Sequence, residues 1–228
     1  MRLEKASYKA IKYACLNYHY SKTVPSTRAK VNGYSVFNDK NEWCGVIIFS
    51  GGASANMGTP FGLVFGQYAE LVRMALNGKQ ESTSKAMGIS IKLFKKHNPL
   101  VKLLISYADK GQNHLGIIYQ ATNWYFIEES ISSGTDIFYK GEWRHDRNLN
   151  ELPKNILSKL PKRKRSGKYK YIYPLNKNMI PLCESLKKPY PKIAQEVNKD
   201  KRDASSIEIG GSNPTLALNL QAKNRQHG

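Results

Sequence analysis

Paired cysteines, long apolar runs and acidic residues are all scarce in this 228-residue chain. Its three cysteines, Cys15, Cys44 and Cys183, are widely spaced, and no CxxC pair occurs. This number and spacing support neither a disulfide framework nor a zinc knuckle. The N-terminal segment carries scattered lysines instead of an apolar core, and no segment approaches the roughly 18 apolar residues of a membrane span. A cytoplasmic protein without a membrane segment is therefore expected.

Positive charge dominates the polar residues that are present. Lysine and arginine number 36 against 17 acidic residues, which gives a formal net charge of +19. Such an excess favours a polyanionic partner, because each phosphate that a basic side chain neutralises releases condensed counterions. Ribosomal and membrane-surface proteins share this signature, but nucleic acid is the favoured partner. A hydrophobic content of 40% can fill a core, and the length is typical of one domain.

Apolar periodicity and turn residues predict alternating strands and helices. The predicted strands are Arg2–Lys5, Lys30–Phe37, Trp43–Phe49, Tyr68–Leu76, Val101–Tyr107, Trp124–Ile127 and Thr135–Trp143. The predicted helices begin near Ser7, run from Ser82 to Lys96, and run from His114 to Thr122. One strand–helix–strand unit inside an otherwise antiparallel series predicts an α/β (α+β) fold, with a mixed, mostly antiparallel sheet and helices on both faces.

The composition changes from Leu152 onward. The run Pro161–Tyr171 is basic and interleaved with aromatic residues, and Tyr171–Leu175 is predicted as an edge strand because it contains a proline. We expect one domain over residues 1–186, including the basic segment 158–170. The polar sequence over residues 187–228 predicts a disordered tail.

The junction between the fourth predicted strand and the second predicted helix is rich in hydroxyl and lysine side chains. Its candidates are Lys79, Ser82, Ser84 and Lys85. Free N–H groups at a helix N-terminus bind phosphate, so these residues are candidates for holding the pyrophosphate of a cofactor. The glycine-rich form of such a motif is missing here. A plain helix cap formed by Ser82 or Ser84 is the alternative.

A second candidate lies in Gly116–Tyr125, where a helix ends in a tyrosine before a turn and a strand. This order resembles the acetyltransferase fold known as GNAT, in which such a tyrosine contacts the thiol region of the cofactor or acts as a general acid. The resemblance implies that role for Tyr119, with Asn123 as a further cofactor contact. Simple packing of the tyrosine is the alternative.

Several segments together resemble the Mom family of phage DNA-modification proteins, which have a GNAT-like fold. They are Glu70–Arg73, Glu81-Ser82, Ile105–Asp109, His114–Trp124, His19–Ser21 and His145–Arg147. The resemblance covers about Lys5 to Pro191, and Ser106–Trp124 is its most specific part. It implies conversion of adenine in DNA to N6-carbamoylmethyladenine, which makes phage DNA resistant to host restriction. The expected partner is double-stranded DNA, and no protein partner is implied.

Adenine is a demanding acceptor, because the lone pair of its amino nitrogen is delocalised into the ring. An enzyme must orient this nitrogen, take a proton from it and stabilise charge on the electrophile. Asp109 is the candidate for accepting the proton or a hydrogen bond from the amino group, with Ser106 relaying or positioning. The alternative for both is a strand end followed by a helix cap.

Histidines offer further chemistry. His19 is a candidate general base or metal ligand, with a structural role as the alternative. His114 is expected to cap its helix. Three histidines and Asp109 could in principle hold a divalent ion, but no spacing such as an HxxxH helix face supports one, so we assign no metal.

Modification of duplex adenine requires the base to be extruded from the stack. Aromatic candidates for stacking on it are Tyr18, Tyr20, Trp124, Tyr139 and Trp143, although an ordinary core role is the alternative for each. The basic run is expected to grip phosphates, with a solvated loop as the alternative. Predicted DNA contacts are Arg73, Trp143, Arg144, His145, Arg147, Lys162, Arg163, Lys164, Arg165 and Lys168.

The donor is left open between two chemical classes. A GNAT fold suggests acetyl-CoA, but a carbamoylmethyl group is attached through its CH2 carbon, so plain acetyl transfer cannot make it. A glycyl unit has the required N–CH2–C=O atoms, so an aminoacyl carrier is the second candidate. The alternative functions are a CoA-dependent N-acetyltransferase acting on a protein or small amine, and a noncatalytic basic DNA-binding protein.

Overall fold

The computed structural model describes residues 1–25, 31–130 and 134–192, apart from the side chains of His145, Arg147 and Asn148. The strands are β1 (Arg2–Lys5), β2 (Asn32–Phe37), β3 (Trp43–Ser50), β4 (Tyr68–Leu76), β5 (Leu103–Asp109), β6 (Tyr125–Ser130), β7 (Thr135–Tyr139), β8 (Glu142–His145), β9 (Lys162–Lys164) and β10 (Lys168–Pro174). The helices are α1 (Tyr8–Tyr18), α2 (Thr83–His97), α3 (Ile117–Gln120), α4 (Lys154–Lys159) and α5 (Ile180–Leu186).

Seven strands form the main sheet in the order β1-β2-β3-β4-β5-β10-β6. The pairing is antiparallel throughout except between β4 and β5, which run parallel. Within these described strands the parallel ladder extends only from the Tyr68–Leu103 pair to the Glu70–Ile105 pair. Both strands continue beyond it, so the sheet separates between their C-terminal halves.

Helices cover both faces of this sheet. Alternate residues of β3 point to opposite sides and therefore pack against different helices. Val46 and Ile48 pack with the buried side of α1. Ile47 and Phe49 pack with α2 through residues such as Phe94. The predicted mixed, mostly antiparallel sheet with helices on both faces is confirmed, as is the hairpin between β2 and β3.

The strand containing Pro174 is not at an edge, so that prediction was wrong. β10 pairs with β5 on one side and with β6 on the other, which leaves β6 as the edge. The proline is tolerated because it is the last residue of the strand, where a missing N–H interrupts the ladder least.

The predicted helix over His114–Thr122 was also wrong for most of its length. Helix α3 has four residues, and Gly116 before it adopts a left-handed conformation with φ of 75°. An α-helix cannot continue through such a residue. A Cβ atom at Gly116 would lie 2.5 Å from the Tyr171 ring, so the sequence needs glycine here both for conformation and for space.

The predicted strand Thr135–Trp143 is a hairpin instead. Lys140 and Gly141 both have positive φ, at 52° and 81°, as a two-residue type I′ turn requires. Strands β7 and β8 flank this turn, and β9 pairs with the other side of β7. The three strands form a second, smaller sheet, which we call the basic sheet because β9 consists of Lys162, Arg163 and Lys164.

The first residues of the predicted tail contact the main sheet. The Lys188 N–H donates to the Phe126 carbonyl at 2.8 Å, and the Tyr190 hydroxyl donates to the Trp124 carbonyl at 2.7 Å. The rest of the predicted tail, from residue 193 onward, lies outside the described residues. The domain limits of 1–186 and 187–228 stay a prediction.

Candidate active site

A pocket of about 560 Å³ opens where β4 and β5 separate. Its walls come from the end of α1, from the two parted strands, and from the loop and short helix that follow β5. Because a β-strand directs successive side chains to opposite faces, the pocket takes residues from both sides of the sheet. It therefore spans the gap between the strands, and we call it the passage.

The two ends of this passage carry different chemistry. On the side covered by α1, which we call the α1 face, the lining residues include His19, Tyr20, Glu70, Tyr107 and Asp109. On the side covered by α2, the α2 face, they include Leu71, Met74, Ala108, Ile118 and Tyr119. The α1 face is polar and charged, whereas the α2 face is largely apolar with one phenol.

Tyr119 and Ser106 form a buried hydroxyl pair on the α2 face. The Ser106 oxygen lies 2.8 Å from the Tyr119 hydroxyl and 2.8 Å from the Leu71 carbonyl oxygen. A serine hydroxyl has one proton, so when it donates to the carbonyl it can only accept from Tyr119. Burial raises the pKa of Tyr119 to about 12, so the phenol stays protonated at neutral pH. Ser106 itself is fully buried, so it positions Tyr119 and does not line the pocket.

Asp109 lies at the end of β5 and has two tasks. Its Oδ1 atom accepts hydrogen bonds from the Gly111 N–H at 2.9 Å and the Ser166 hydroxyl at 3.1 Å, which caps the turn after the strand. Its Oδ2 atom lies 3.5 Å from the Tyr20 hydroxyl, in the pocket. The structural cap and a functional role are therefore compatible, because they use different oxygens.

His19 follows the last residue of α1 and lines the pocket beside Tyr20, with 4.4 Å between the ring centroids. Its Nδ1 atom accepts from the Ser21 N–H at 3.2 Å. Burial, followed by the charges of Arg73 and His114, lowers the pKa of His19 to about 4. His114 lines the pocket instead of capping a helix.

Glu70 and Tyr107 are pocket residues that the sequence patterns did not single out for chemistry. Glu70 interrupts the apolar pattern of β4 between Ala69 and Leu71, both of which are buried. Burial raises the pKa of Glu70, and the Ala53 N–H donates to its Oε2 atom at 3.1 Å. A carboxylate between two buried apolar residues is the signal that could have identified it.

The predicted cofactor contacts lie away from this pocket. Among the residues described as lining it, Lys79, Ser82, Ser84, Lys85 and Asn123 do not occur. The Ser82 hydroxyl caps α2 by accepting from the Lys85 N–H at 3.2 Å. Asn123 is exposed and takes the left-handed conformation of a turn, with φ of 60°. Their cofactor role stays a prediction.

The basic sheet carries most of the predicted DNA contacts. Trp143 is 40% exposed, with the Arg163 guanidinium 4.5 Å from its ring centroid. Lys162 and Lys164 are exposed, whereas Arg144 lies 3.3 Å from Glu142. Arg165 is held inside the sheet, because its Nε donates to Asp136 at 3.0 Å and its terminal nitrogen donates to the Thr135 carbonyl. The side chains of His145 and Arg147 lie outside the described residues.

Two further predicted DNA contacts belong to the pocket. Lys168 is exposed and lines it. Arg73 also lines it, with one terminal nitrogen donating to the Val72 carbonyl at 2.7 Å. Its Nε atom is buried without a hydrogen-bond partner in the described part of the chain.

The aromatic stacking candidates divide in the same way. Tyr18 and Tyr20 line the pocket, and Trp143 and Tyr139 lie on the basic sheet. Trp124 is 0% exposed and packs in the core, so its proposed contact with a base was wrong.

Among the described side chains, no three His, Cys, Asp or Glu residues lie together as a metal-ligand set. None of the helices over the described ranges is long and apolar enough to span a membrane.

A mixed sheet parted between two parallel strands, with a pocket passing through the gap, defines the GNAT-like class of transferase folds. Comparison with known proteins gives the family. The Mom protein family model matches residues 1–192, and the chain belongs to this family. The methylcarbamoylase Mom of Escherichia phage Mu is 34% identical over 89 residues, covering 37% of this chain. The match spans 35% of the phage Mu protein, about a third of its length.

Solved acetyltransferase structures are similar to this chain at a lower sequence identity. One is a Bacillus subtilis acetyltransferase in complex with CoA, at 12% identity and a TM-score of 0.45, with 76% of this chain and 97% of that chain covered. Another is the spermidine/spermine N-acetyltransferase of Vibrio cholerae in complex with manganese ions, at 8% identity and a TM-score of 0.44. In that comparison 78% of this chain and 94% of the other are covered.

Proposed function

We propose that this protein modifies adenine in double-stranded DNA to N6-carbamoylmethyladenine, which protects phage DNA from host restriction in the cytoplasm of the infected cell. Membership of the Mom family supports the reaction class. The observation that carries the proposal is the two-ended pocket, in which Asp109, Tyr20 and His19 lie at one end and Tyr119 at the other. An acceptor base and an activated donor can meet in such a passage from opposite faces of the sheet.

The α1 face suits the acceptor. A target adenine must leave the helix stack to expose its amino group, and the half-exposed Tyr20 ring at this face offers a stacking surface. Asp109 is proposed to accept a hydrogen bond and then a proton from N6 through Oδ2, since Oδ1 is already engaged. The neutral His19 ring is proposed to donate from Nε2 to the carbonyl oxygen of the transferred group and so to orient it.

The α2 face suits the donor. Beyond Glu70, the edge of β4 that faces β5 has no ladder partner in the described sheet. An extended arm rich in amide groups, such as the pantetheine of a CoA thioester, would fit along such an edge as an added strand does. A bound donor of the acetyl-CoA or glycyl-carrier class would supply the transferred group. Of the two, the glycyl class contains the N, CH2 and C=O atoms of the product, with one N6 proton lost and the carrier released. Tyr119 donates its hydroxyl hydrogen bond to Ser106, and its hydroxyl oxygen is proposed to accept a hydrogen bond from that end of the donor.

The basic sheet is proposed to hold the DNA backbone. Lys162, Arg163 and Lys164 are exposed on β9, and Trp143 presents an aromatic surface beside them. Phosphate contacts of this kind fix position without reading sequence. Lys168 at the pocket lies six residues after Lys162 along the chain, so the same segment serves both places. Arg144 lies on β8 of the same sheet, and the contacts predicted for His145 and Arg147 stay predictions.

Nucleoside mass spectrometry of plasmid DNA from cells that express the protein tests this function. We expect a deoxyadenosine heavier by C2H3NO in wild-type samples and its loss in Asp109→Asn, which keeps the cap geometry but cannot take a proton. Tyr119→Phe is expected to reduce the product while leaving DNA binding unchanged. Unmodified DNA from soluble wild-type protein, together with acetylation of a protein or small amine, would contradict the proposal and favour an ordinary N-acetyltransferase.

A further inference from the structure

We propose that Glu70 and Tyr107 form the subsite that recognises the target adenine, with the Glu70 carboxylate accepting a hydrogen bond from N6 and the Tyr107 ring stacking on the base. This inference rests on the proposed function and adds how the target base is distinguished. Both residues line the α1 face of the pocket. Both lie where β4 and β5 begin to separate, since Glu70 pairs with Ile105 and Tyr107 follows two residues later on the same face.

The Glu70 carboxylate is oriented by the fold. Its Oε2 atom accepts from the Ala53 N–H at 3.1 Å. Within the described chain, no hydrogen bond to its Oε1 atom is found. One oxygen is therefore tethered, and the other is available to accept from a ligand that enters the pocket. Burial raises the pKa of Glu70, and the Ala53 hydrogen bond and the charges of Lys168 and Arg73 act against that rise.

Tyr107 supplies a flat wall next to this carboxylate. Burial, followed by the negative charges of Glu70 and Glu128, raises the pKa of Tyr107 to about 12, so the phenol stays neutral. The Lys168 ammonium lies 5.9 Å from the centre of its ring. A neutral aromatic ring beside a carboxylate suits an extruded purine, because the ring stacks on the base while the carboxylate binds its amino edge.

The chemistry of the bases explains the selectivity. At the position of the adenine amino group, guanine O6 and thymine O4 are acceptors that a carboxylate repels. Guanine has donors at N1 and N2, but a base bound through its C6 substituent places O6 against Glu70. Cytosine also carries an amine, but its single ring covers less of Tyr107. The adenine amino group has two hydrogens, so Glu70 can hold one while Asp109 takes the other. Glu70 therefore recognises the base, Asp109 accepts the proton, and the proposed site uses both carboxylates.

Binding of matched oligonucleotides tests the subsite. The probes are a single strand with one adenine in a context that the wild-type protein modifies, and the same strand with purine, which has hydrogen in place of the amino group. A hydrogen bond to a charged group corresponds to a preference for adenine of roughly ten- to a hundred-fold. We expect the wild type to show this preference, Glu70→Ala to lose it, and Glu70→Gln to keep part of it through the amide oxygen.

Tyr107 is expected to act differently, because stacking does not sense the amino group. Tyr107→Ala should weaken binding of both strands equally, by about ten-fold, and Tyr107→Phe should bind like wild type. The matched control is Glu4→Ala, which removes an exposed carboxylate from β1 at the far edge of the sheet. Thermal unfolding of each variant verifies that it is folded.

The subsite is overturned if Glu70→Ala keeps the full preference for adenine, or if Tyr107→Ala binds both strands like wild type. In either case the wild-type protein still modifies DNA, so the proposed function stands. Failure of the proposed function is seen separately, as wild-type protein that leaves plasmid adenine unmodified.

Discussion

His19 illustrates how the surroundings of one side chain limit its chemistry. Its Nδ1 atom accepts from the backbone N–H of Ser21, and a backbone N–H can only donate. The neutral ring therefore carries its proton on Nε2. With a pKa of about 4, His19 is a weak base at neutral pH, so donation of a hydrogen bond is favoured over the general-base role that the sequence suggested.

The lowered pKa of His19 predicts a loss of stability in acid. The unfolded chain takes up a proton near the ordinary value of 6.5, whereas the folded chain does so only near 4. The free energy of unfolding should therefore fall as the pH drops from about 6.5 to about 4. Urea denaturation at pH 7 and pH 5 should show a smaller drop for His19→Gln than for wild type. Equal drops in both proteins would contradict the shift.

Single residues also show which structural features the sequence patterns could predict and which they could not. Asp109 could be predicted as functional and as a cap, and it serves as a cap while also facing the pocket. Trp124 and Trp143 were both stacking candidates, but one is buried in the core and the other exposed. The difference comes from β10, a strand distant in sequence that inserts beside β6. Composition could not show that contact, because it depends on long-range pairing.

At the start of α2, the sequence patterns left two interpretations of Ser82 and Ser84 open, which are binding of a cofactor phosphate and capping of the helix. Ser82 has an extended backbone and its hydroxyl accepts from the Lys85 N–H. This is the geometry of an N-cap. Ser84 contacts the Ser82 hydroxyl at 3.1 Å but caps no N–H group in the described helix.

Replacing the cap should cost stability. We expect Ser82→Ala to lower the free energy of unfolding by about 1 kcal/mol, measured by urea denaturation, because one N–H at the helix start loses its acceptor. Ser84→Ala is the matched control and should change it little. If Ser82→Ala leaves stability unchanged but raises the KM for the donor, the phosphate-binding interpretation is the better one.

Among the elements, regular segments were predictable and irregular ones were not. The strands β2 to β5 match their hydrophobic patterns closely, because each contains several buried apolar residues. Helix α3 was overestimated, because helical spacing continued through Gly116 even though this glycine is left-handed. The β7–β8 hairpin was missed, because its turn needs a positive φ at Lys140, and lysine is not a residue that favours this conformation.

The net charge describes the whole molecule, but the contribution of a basic side chain to DNA binding depends on where it lies in the structure. The formal charge of +19 is spread over the chain. The basic sheet concentrates exposed Lys162 and Lys164 on one short strand, whereas exposed Lys92 and Lys96 lie on α2. If total charge decided DNA affinity, both pairs would matter equally.

The double variant Lys162→Gln/Lys164→Gln is expected to bind DNA more weakly. Loss of two phosphate contacts should reduce the slope of log K against log salt concentration by roughly 1.8. Fluorescence anisotropy of labelled duplex DNA between low and moderate salt measures this slope. Lys92→Gln/Lys96→Gln removes the same charge from α2 and should leave the slope nearly unchanged. Equal effects of the two variants would show that general charge, and not the basic sheet, binds DNA.

The gap between β4 and β5 also determines the order of events during turnover. Two reactants that share one binding place must bind in turn. A pocket lined from both faces of the sheet has separate places for the two reactants, so both can be bound together. None of the three buried cysteines lines this passage in the described chain, so no thiol is at hand to carry the group between half-reactions. The geometry therefore corresponds to sequential kinetics through a ternary complex, without a covalent enzyme intermediate on cysteine.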